Sequence, residues 1–372
     1  MARRAATVLL LAALLFIHLH AQNRESLLAK YRPTIFNTNS LHAYHIDGKG
    51  VDGKGESRVL DYRSEWVYLG GGREGDVFAY EDLAIKVYDE GRSPARNCVP
   101  GTGDSWPTEI PASLLAGNGS MEEAFVQVVD YFFSGDGDEG RWHLVTPFYE
   151  DGTLEDLARK VREHNLSARE VDEAYRPSLV RLLDALGELH EVHGLCHDDI
   201  KPGNIFVGPD SGYDGVSGAQ WLLSDLGNAR HVGHPYHTSA LWEGKGQLVD
   251  CRANDMLRLL KSYVHFLRNA VDDKMRFNEE FVGGCEEWSC MYWRAAGALR
   301  AGRTAGVRGI VGPGSGAWSE SGCSAEPVLA GRFRGSLEGA VMEELELRMG
   351  DQWARFWGLA AVRGVPTMEC GQ

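Results

Sequence analysis

The spacing of apolar residues changes near Phe148. Before this residue, short runs in which apolar and polar positions alternate are typical of β-strands, and glycine-rich or acidic turns separate them. After it, apolar residues recur three and four positions apart, which predicts buried or amphipathic helices. Strands that cluster first and helices that cluster second predict an α+β fold, with a small β-rich lobe followed by a larger helical lobe.

The first half of the chain is predicted to hold five strands and one short helix. The strands cover Trp66–Leu69, Asp76–Tyr80, Leu83–Tyr88, Phe125–Phe133 and Trp142–Thr146. Residues 134–140 are rich in Gly and Asp and predict a hairpin loop between the last two strands. The helix is predicted over Glu109–Ala116, with Pro111 in its first turn because proline lacks the N–H that a later position would need.

The second half is predicted to be mainly helical. Its helices cover Leu154–Asn165, Pro177–His190 and Met256–Leu267. Asp255 is predicted to start the last of these, and the second has the broad apolar face of a core helix. Two short strands, Ile205–Val207 and Trp221–Leu223, lie between these helices. Residues 296–325 are rich in Gly, Ala, Arg and Ser and predict a loop or a disordered insert, whereas Trp353–Val362 predicts a final helix.

The N-terminus has the layout of a secretory signal peptide. Arg3 and Arg4 precede an apolar run from Ala5 to Leu19, and Ala21 is a small residue suited to cleavage. The run is short for a bilayer span. A signal anchor and a buried N-terminal helix are the alternatives.

The chain is predicted to have three segments, of which the signal peptide is the first. Residues 1–21 form the signal peptide, 22–61 a polar extension, and 62–372 one domain with lobes of about 62–147 and 148–372. The predicted location is the secretory pathway or the exterior of the cell, with no stable membrane span. A signal-anchored membrane protein is one alternative, and a cytoplasmic protein with a misassigned start is another.

Composition narrows the possible partners. The net charge of -15 argues against a nucleic-acid-binding protein, which needs a basic surface to neutralise phosphates. The seven cysteines are irregularly spaced and contain no CxxC pair or zinc-binding arrangement. The sequence gives no indication of the oligomeric state.

A polar stretch from His197 to Asn204 carries the most chemistry in the shortest space. Asp199 can accept a proton, Lys201 can neutralise charge on a phosphoryl group, and Asn204 can ligate a metal ion. Taken alone, the stretch is equally consistent with a solvated polar turn. A catalytic site is favoured over a polar turn only if the other residues that such a site needs occur elsewhere in the chain.

A glycine-rich motif, Gly70-x-Gly72-x-x-Gly75-x-Val77, lies between two predicted strands. A dinucleotide-binding turn requires a helix after the motif, so that interpretation is disfavoured. A glycine-rich hairpin can instead cover a triphosphate, because missing side chains let backbone N–H groups approach it. A mobile hairpin without a ligand is the alternative.

Lys86 follows this hairpin and alternates with two apolar neighbours, so its side chain faces one surface of the predicted sheet. An ammonium placed there can reach phosphate oxygens and needs a carboxylate to hold it. Glu109 is the expected partner, and Glu122 and Glu123 are rivals that lie close to the next strand.

Asp225 ends a predicted strand just before Gly227. Together with Asn204 it offers two hard oxygen ligands, which suit a Mg²⁺ ion that bridges phosphates.

In their order along the chain, these motifs resemble those of eukaryotic-type protein kinases. The resemblance covers about residues 62–267 and implies a bilobal fold, ATP and Mg²⁺ as cofactors, and a protein substrate. Lys201 is the residue that serine/threonine kinases have at this place. Leu144–Tyr149 is similar to the hinge that binds adenine, which brings Thr146 and Phe148 into nucleotide binding. We name 197–204 the catalytic loop and 225–243 the activation segment.

The chain also departs from the family pattern. The usual His-Arg-Asp is His197-Asp198-Asp199, so the arginine that pairs with a phosphorylated activation segment is absent. The Ala-Pro-Glu that closes the segment is also missing, and Glu243 is a candidate for its glutamate. We therefore predict a kinase that does not depend on phosphorylation of this segment. A pseudokinase that acts as a scaffold and a small-molecule kinase are the alternatives.

Overall fold

A computed structural model describes residues 2–34, 36, 59–72, 74–89, 96–98, 105–134, 140–209, 220–284, 286–312, 335–347 and 352–357. The predicted loop at 134–140 and the insert at 296–325 lie partly outside these residues, as does most of the predicted extension at 22–61.

The smaller lobe is built on an antiparallel sheet of five strands in the order β1-β2-β3-β7-β6. These strands are β1 (Val67–Gly71), β2 (Gly75–Tyr80), β3 (Leu83–Tyr88), β6 (Asp130–Ser134) and β7 (Arg141–Pro147). Two short strands, β4 (Arg96–Cys98) and β5 (Ser105–Pro107), pair separately. Helix α2 (Glu109–Ala116) follows them and is buried along most of its length.

The alternation of side chains in β3 fixes the orientation of the sheet. Ile85 and Val87 are buried in a cluster with Phe132 and Val145 on one face. Lys86 lies between them in sequence and pairs in register with Val77 and Leu144, so its side chain lies on the opposite face. That face turns toward the larger lobe.

In the part of the chain that the structure describes, the larger lobe consists of helices and four short strands. The helices are α3 (Leu154–Arg162), α4 (Ala168–Glu191), α5 (Ala240–Glu243), α6 (Cys251–Ala270), α7 (Lys274–Gly283), α8 (Glu287–Arg300), α9 (Val307–Val311), α10 (Leu337–Glu344) and α11 (Gln352–Trp357). The strands are β8 (Leu195–Cys196), β9 (Ile205–Val207), β10 (Trp221–Leu223) and β11 (Arg230–His231). The α+β bilobal prediction is confirmed.

Several predicted boundaries were wrong. Helix α4 begins at Ala168 because Ser167 and Glu170 form a capping box there, and Pro177 lies inside the helix rather than at its start. Helix α6 begins at Cys251 with Asp250 as its N-cap, so Asp255 lies in its second turn. The predicted strand over Phe125–Phe133 is shorter, because regular pairing begins only at Asp130.

The weakly patterned C-terminal region contains more helix than was predicted. Helix α8 extends to Arg300, and α9 lies within the predicted loop. Aromatic residues on α7 and α8 stack on one another, with 4.6 Å between the ring centroids of Phe277 and Trp288. The last predicted helix is present as α11, as far as Trp357.

The chain begins with a long helix, α1 (Ala2–Lys30). Among the residues that the structure describes, it is the one helix long and apolar enough to cross a membrane. Its apolar part is exposed, with Leu9 at 71% exposure, but its last turns pack on the larger lobe. Leu27 and Tyr31 are buried there with Tyr236 and Trp242 of the activation segment.

Candidate active site

A cavity of about 250 Å³ lies between the sheet and the larger lobe. The sheet contributes Val77, Ala84, Lys86, Leu144 and Thr146, and α2 contributes Glu109 and Ser113. The larger lobe contributes the residues that close it from below: Gly203, Asn204, Phe206, Leu223, Ser224, Asp225 and Leu226. The cavity thus collects predicted site residues from both halves of the chain.

Lys86 is held by carboxylates at the wall of this cavity. Its Nζ forms an ion pair with Glu109 and lies 3.6 Å from Asp225 Oδ1. Tyr88 Oη also donates to Glu109 Oε2 at 2.5 Å. Burial opposes the charge on Lys86, but the carboxylates of Glu109, Asp225 and Glu74 outweigh it and raise the pKa of Lys86. Lys86 is therefore a fixed cation that faces the cavity.

Glu109, the partner expected from the sequence, forms the close ion pair with Lys86, and Glu74 Oε2 lies 4.0 Å from the same Nζ. The rivals lie elsewhere: Glu122 and Glu123 form the start of a 3₁₀ turn, and Glu123 pairs with Arg181 at 2.9 Å. Glu109 is the first residue of α2, where a carboxylate is favoured by the helix dipole.

Asp225 and Asn204 meet at the floor of the cavity. Asn204 Nδ2 donates to Asp225 Oδ2 at 3.3 Å and to the Asp199 carbonyl at 3.0 Å. Asp225 has left-handed backbone angles, with φ at 57°. Burial disfavours the charge of Asp225, yet Lys86 and Lys201 overcome this effect and lower the pKa of Asp225. The site therefore presents an ionised carboxylate next to an amide.

The catalytic loop is fixed from behind by helix α6. Asp255 accepts hydrogen bonds from the backbone N–H of His197 at 2.7 Å and of Asp198 at 3.0 Å. A disulfide joins Cys196, just before the loop, to Cys251 at the start of α6. Lys201 Nζ donates to Asp199 Oδ2 at 2.9 Å. Lys201 is 44% exposed along its side chain, so this contact lies at the edge of the site.

Of the residues predicted to bind the nucleotide, the glycines of the hairpin and Phe148 do not line the cavity. Gly75 is required by packing, since a Cβ at this position would overlap the Val87 carbonyl oxygen. Gly70 has open space around it, a Cβ at Gly72 would lie 3.9 Å from the Gly75 carbonyl oxygen, and neither glycine lines the cavity. The Phe148 N–H donates to the Asp82 carbonyl at 2.7 Å, and Phe148 is absent from the cavity wall described above.

Asp198, the second residue of the catalytic loop, is fully buried. Its carboxylate accepts a hydrogen bond from Arg230 Nη1 at 2.9 Å and lies 2.9 Å from His237 Nε2. Burial would raise the pKa of Asp198, but His237 and Arg230 lower it. The catalytic loop therefore supplies the anion of this contact, and the activation segment supplies the cation Arg230.

The end of helix α1 also contacts the activation segment. Arg230 donates to the Lys30 carbonyl from Nε at 3.3 Å and from Nη2 at 3.2 Å. His234 Nε2 lies 3.1 Å from the Arg32 carbonyl, and the Leu241 N–H donates to Ser26 Oγ at 3.3 Å. Ser26, Lys30 and Arg32 of the predicted extension therefore contact the activation segment.

Sequence reasoning missed three contributors to this arrangement. Tyr88 lies two positions after Lys86, and the period of two along a strand places both on one face. Arg230 and His237 join Asp198 only through the tertiary fold. No local pattern in the sequence pointed to the last two.

No family model matches this chain, and no curated protein matches it. Among solved structures, two double mutants of the kinase domain of PknI from Mycobacterium tuberculosis are similar to it. They share 16% and 17% sequence identity with it, over 67% of this chain and 94% and 93% of theirs. The TM-scores are 0.42 and 0.41.

The architecture itself defines the class of protein. A five-stranded antiparallel sheet with one helix lies over a helical lobe, and a cavity lined by residues of both lobes lies between them. This is a protein-kinase-like fold.

Proposed function

We propose that this protein transfers the γ-phosphoryl group of ATP to serine or threonine hydroxyls of protein substrates. The observation that carries the proposal is the ion pair between Lys86 and Glu109, next to Asp225 in the cavity between the lobes. A cation held in this way is ready to receive phosphate oxygens, and a structural ion pair would not need a cavity beside it. All polar groups that such a reaction requires are present.

The cavity supports binding of the nucleotide. Val77, Ala84 and Leu144 provide an apolar surface for a base, with Thr146 at the back, and Lys86 would hold the α- and β-phosphates. The sheet hairpin with Gly70, Gly72 and Gly75 would cover the phosphates. The hinge near Phe148 would contribute backbone groups other than the Phe148 N–H, which Asp82 already accepts.

The donor set at the floor of the cavity fits Mg²⁺. Asp225 offers an ionised carboxylate, and Asn204 offers its amide oxygen because its nitrogen is already used as a donor. A bound Mg²⁺ would neutralise phosphate charge during transfer. Asp225 and Asn204 would hold the ion.

The catalytic loop supports the transfer step. Asp199 would orient the attacking hydroxyl and accept its proton, and Lys201 would stabilise charge on the transferred phosphoryl group. The exposed side of Lys201 is consistent with contact to a substrate that enters from solvent.

The secretory pathway remains the proposed location. The disulfide between Cys196 and Cys251 supports it, because such bonds persist in oxidising compartments. ATP in the lumen of that pathway would supply the reaction.

The proposal is tested with γ-labelled ATP, Mg²⁺ and a mixture of general protein acceptors. The wild-type protein should label acceptors, and Asp225→Asn or removal of Mg²⁺ with EDTA should reduce labelling at least 100-fold. A wild-type protein that binds ATP but transfers no label would contradict the proposal and favour a scaffolding protein.

A further inference from the structure

One face of helix α6 contacts four consecutive residues, which are Cys196 and the first three residues of the catalytic loop. Cys251, Asp255 and Arg258 are spaced four and three positions apart, so they share this face. Cys251 is bonded to Cys196, and Asp255 accepts from the N–H groups of the next two residues. Arg258 lies opposite Asp199, with 3.6 Å between Arg258 Nη2 and Asp199 Oδ1.

Arg258 is an unusual residue to find at this depth. Its side chain is 3% exposed, and its Nη1 donates to Gln247 Oε1 at 3.5 Å. Within the part of the chain that the structure describes, its Nε and Nη2 have no hydrogen-bond partner. Burying a cation without full compensation is costly, so a cation at this place indicates a role beyond packing.

Each carboxylate oxygen of Asp199 is approached by a different cation. Lys201 Nζ contacts Oδ2 at 2.9 Å, while Arg258 approaches Oδ1 at 3.6 Å. Lys201 is partly exposed to solvent, whereas Arg258 is enclosed and cannot reach a substrate. When Lys201 turns to a phosphoryl group, Arg258 is the cation of this pair that still faces Asp199.

We propose that Arg258 is a positioning residue that fixes the carboxylate of Asp199 toward the acceptor hydroxyl. The inference rests on the proposed phosphotransfer, in which Asp199 orients that hydroxyl. It assigns to Arg258 an effect on turnover, with no contact to ATP or to the protein substrate.

The charge state of Arg258 is consistent with this role. Burial lowers the pKa of Arg258, and the carboxylates of Asp199, Asp255 and Asp198 oppose that effect. Since an arginine starts from a very high pKa, it remains a cation at neutral pH.

The test compares three variants of the full chain. Arg258→Met removes the cation, and Arg258→Lys keeps a cation at the same place. Arg268→Met is the matched control, because Arg268 is a buried arginine of the same helix that contacts Asn278 and Glu338 instead of the catalytic loop. We measure kcat, KM for ATP, Kd for ATP and thermal stability for each.

We expect Arg258→Met to lower kcat about 100-fold, as for a misplaced catalytic group, while Kd and KM for ATP stay within twofold. Arg258→Lys should recover at least a tenth of wild-type kcat. Arg268→Met should lower thermal stability by about as much as Arg258→Met does. Its kcat should stay within twofold of wild type.

Two outcomes would overturn the inference. One is an Arg258→Met protein whose kcat lies within twofold of wild type. The other is a decrease in kcat for Arg258→Met that is no greater than the decrease for Arg268→Met. If Arg258→Met does not accumulate as folded protein, Arg258→Gln is measured against the same limits. A wild-type protein without transfer activity would instead refute the proposed function, and this inference with it.

Discussion

The carboxylate of Asp198 and the guanidinium of Arg230 form a fully buried ion pair, with 2.9 Å between Oδ2 and Nη1. The pair joins the catalytic loop to the activation segment, and His237 adds a second contact from the same segment. A phosphate bound by an arginine would provide the same kind of link. In this protein, side chains alone provide it.

Removing Asp198 should therefore destabilise the fold strongly. Asp198→Ala leaves Arg230 buried without its charge partner, which we expect to cost about 3–5 kcal/mol of unfolding free energy. Denaturant unfolding measures this loss. Glu173→Gln breaks the exposed pair of Glu173 with Arg169 and is the control, with an expected cost of about 0.5 kcal/mol or less. Equal costs for the two variants would show that the buried pair is not important.

Activity should not depend on phosphorylation of the activation segment. Tyr236 is buried, Ser239 caps helix α5, and Thr238 is the exposed hydroxyl of this group. We expect Thr238→Ala to retain kcat within twofold, and treatment with a phosphatase to leave activity unchanged. Mass spectrometry of active protein should find no phosphate between residues 225 and 243. Inactivation by the phosphatase would refute this prediction.

The end of helix α1 should be required for stability. Leu27 is 1% exposed against the activation segment, whereas its neighbour Leu28 is 42% exposed. Leu27→Ala removes buried apolar contacts and should cost about 2–5 kcal/mol of unfolding free energy. Leu28→Ala is the matched control and should cost less than about 0.5 kcal/mol.

The Leu27→Ala and Leu28→Ala comparison uses protein that starts after Ala21, because the exposed apolar part of α1 would complicate the measurement. A Leu27→Ala protein as stable as Leu28→Ala would show that residues 26–34 do not pack on the larger lobe.

Acid should destabilise the protein through histidines that are buried and neutral. Burial, together with nearby arginines, lowers the pKa of His143 and of His234 to about 4. Between pH 6.5 and pH 4 the unfolded chain binds protons that the folded chain does not, so stability falls as the pH falls through this window. A shift from 6.5 to 4 corresponds to at most about 3.5 kcal/mol for each histidine.

A variant isolates the His143 contribution. His143 stacks on Phe132 with ring centroids 4.7 Å apart, and His143→Phe keeps an aromatic ring that cannot be protonated. Thermal unfolding of His143→Phe should depend less on pH between 6.5 and 4 than that of wild type. His164→Gln changes an exposed histidine and serves as the control. Parallel pH profiles for wild type and His143→Phe would contradict the prediction.

Local patterns predicted much of the fold because they are short and unambiguous. Alternation defined Leu83–Tyr88 at both ends, and the position of Pro111 defined Glu109–Ala116. The start of α4 was missed because the prediction followed the apolar spacing and began the helix at Pro177, whereas the helix begins at Ala168. The capping box of Ser167 and Glu170 was present in the sequence and marked the true start.

In the candidate site, too, some contacts could be predicted from the sequence and others could not. Lys86 and Glu109 could be paired from sequence, because a cation on one face of a strand needs an anion on the next helix. Asp198, Arg230 and Arg258 could not, since their contacts depend on how the activation segment and α6 pack around the catalytic loop. Long-range packing of this kind leaves no periodic trace in the sequence.

Phosphoryl transfer by wild type and by Asp199→Ala, compared at equal ATP occupancy, tests the central claim most directly. Both proteins are incubated with γ-labelled ATP, Mg²⁺ and protein acceptors, and the labelled amino acids are identified after hydrolysis. We predict labelled phosphoserine or phosphothreonine with wild type and at least 100-fold less with Asp199→Ala. Equal labelling by the two proteins, or none by wild type with ATP bound, would contradict the account.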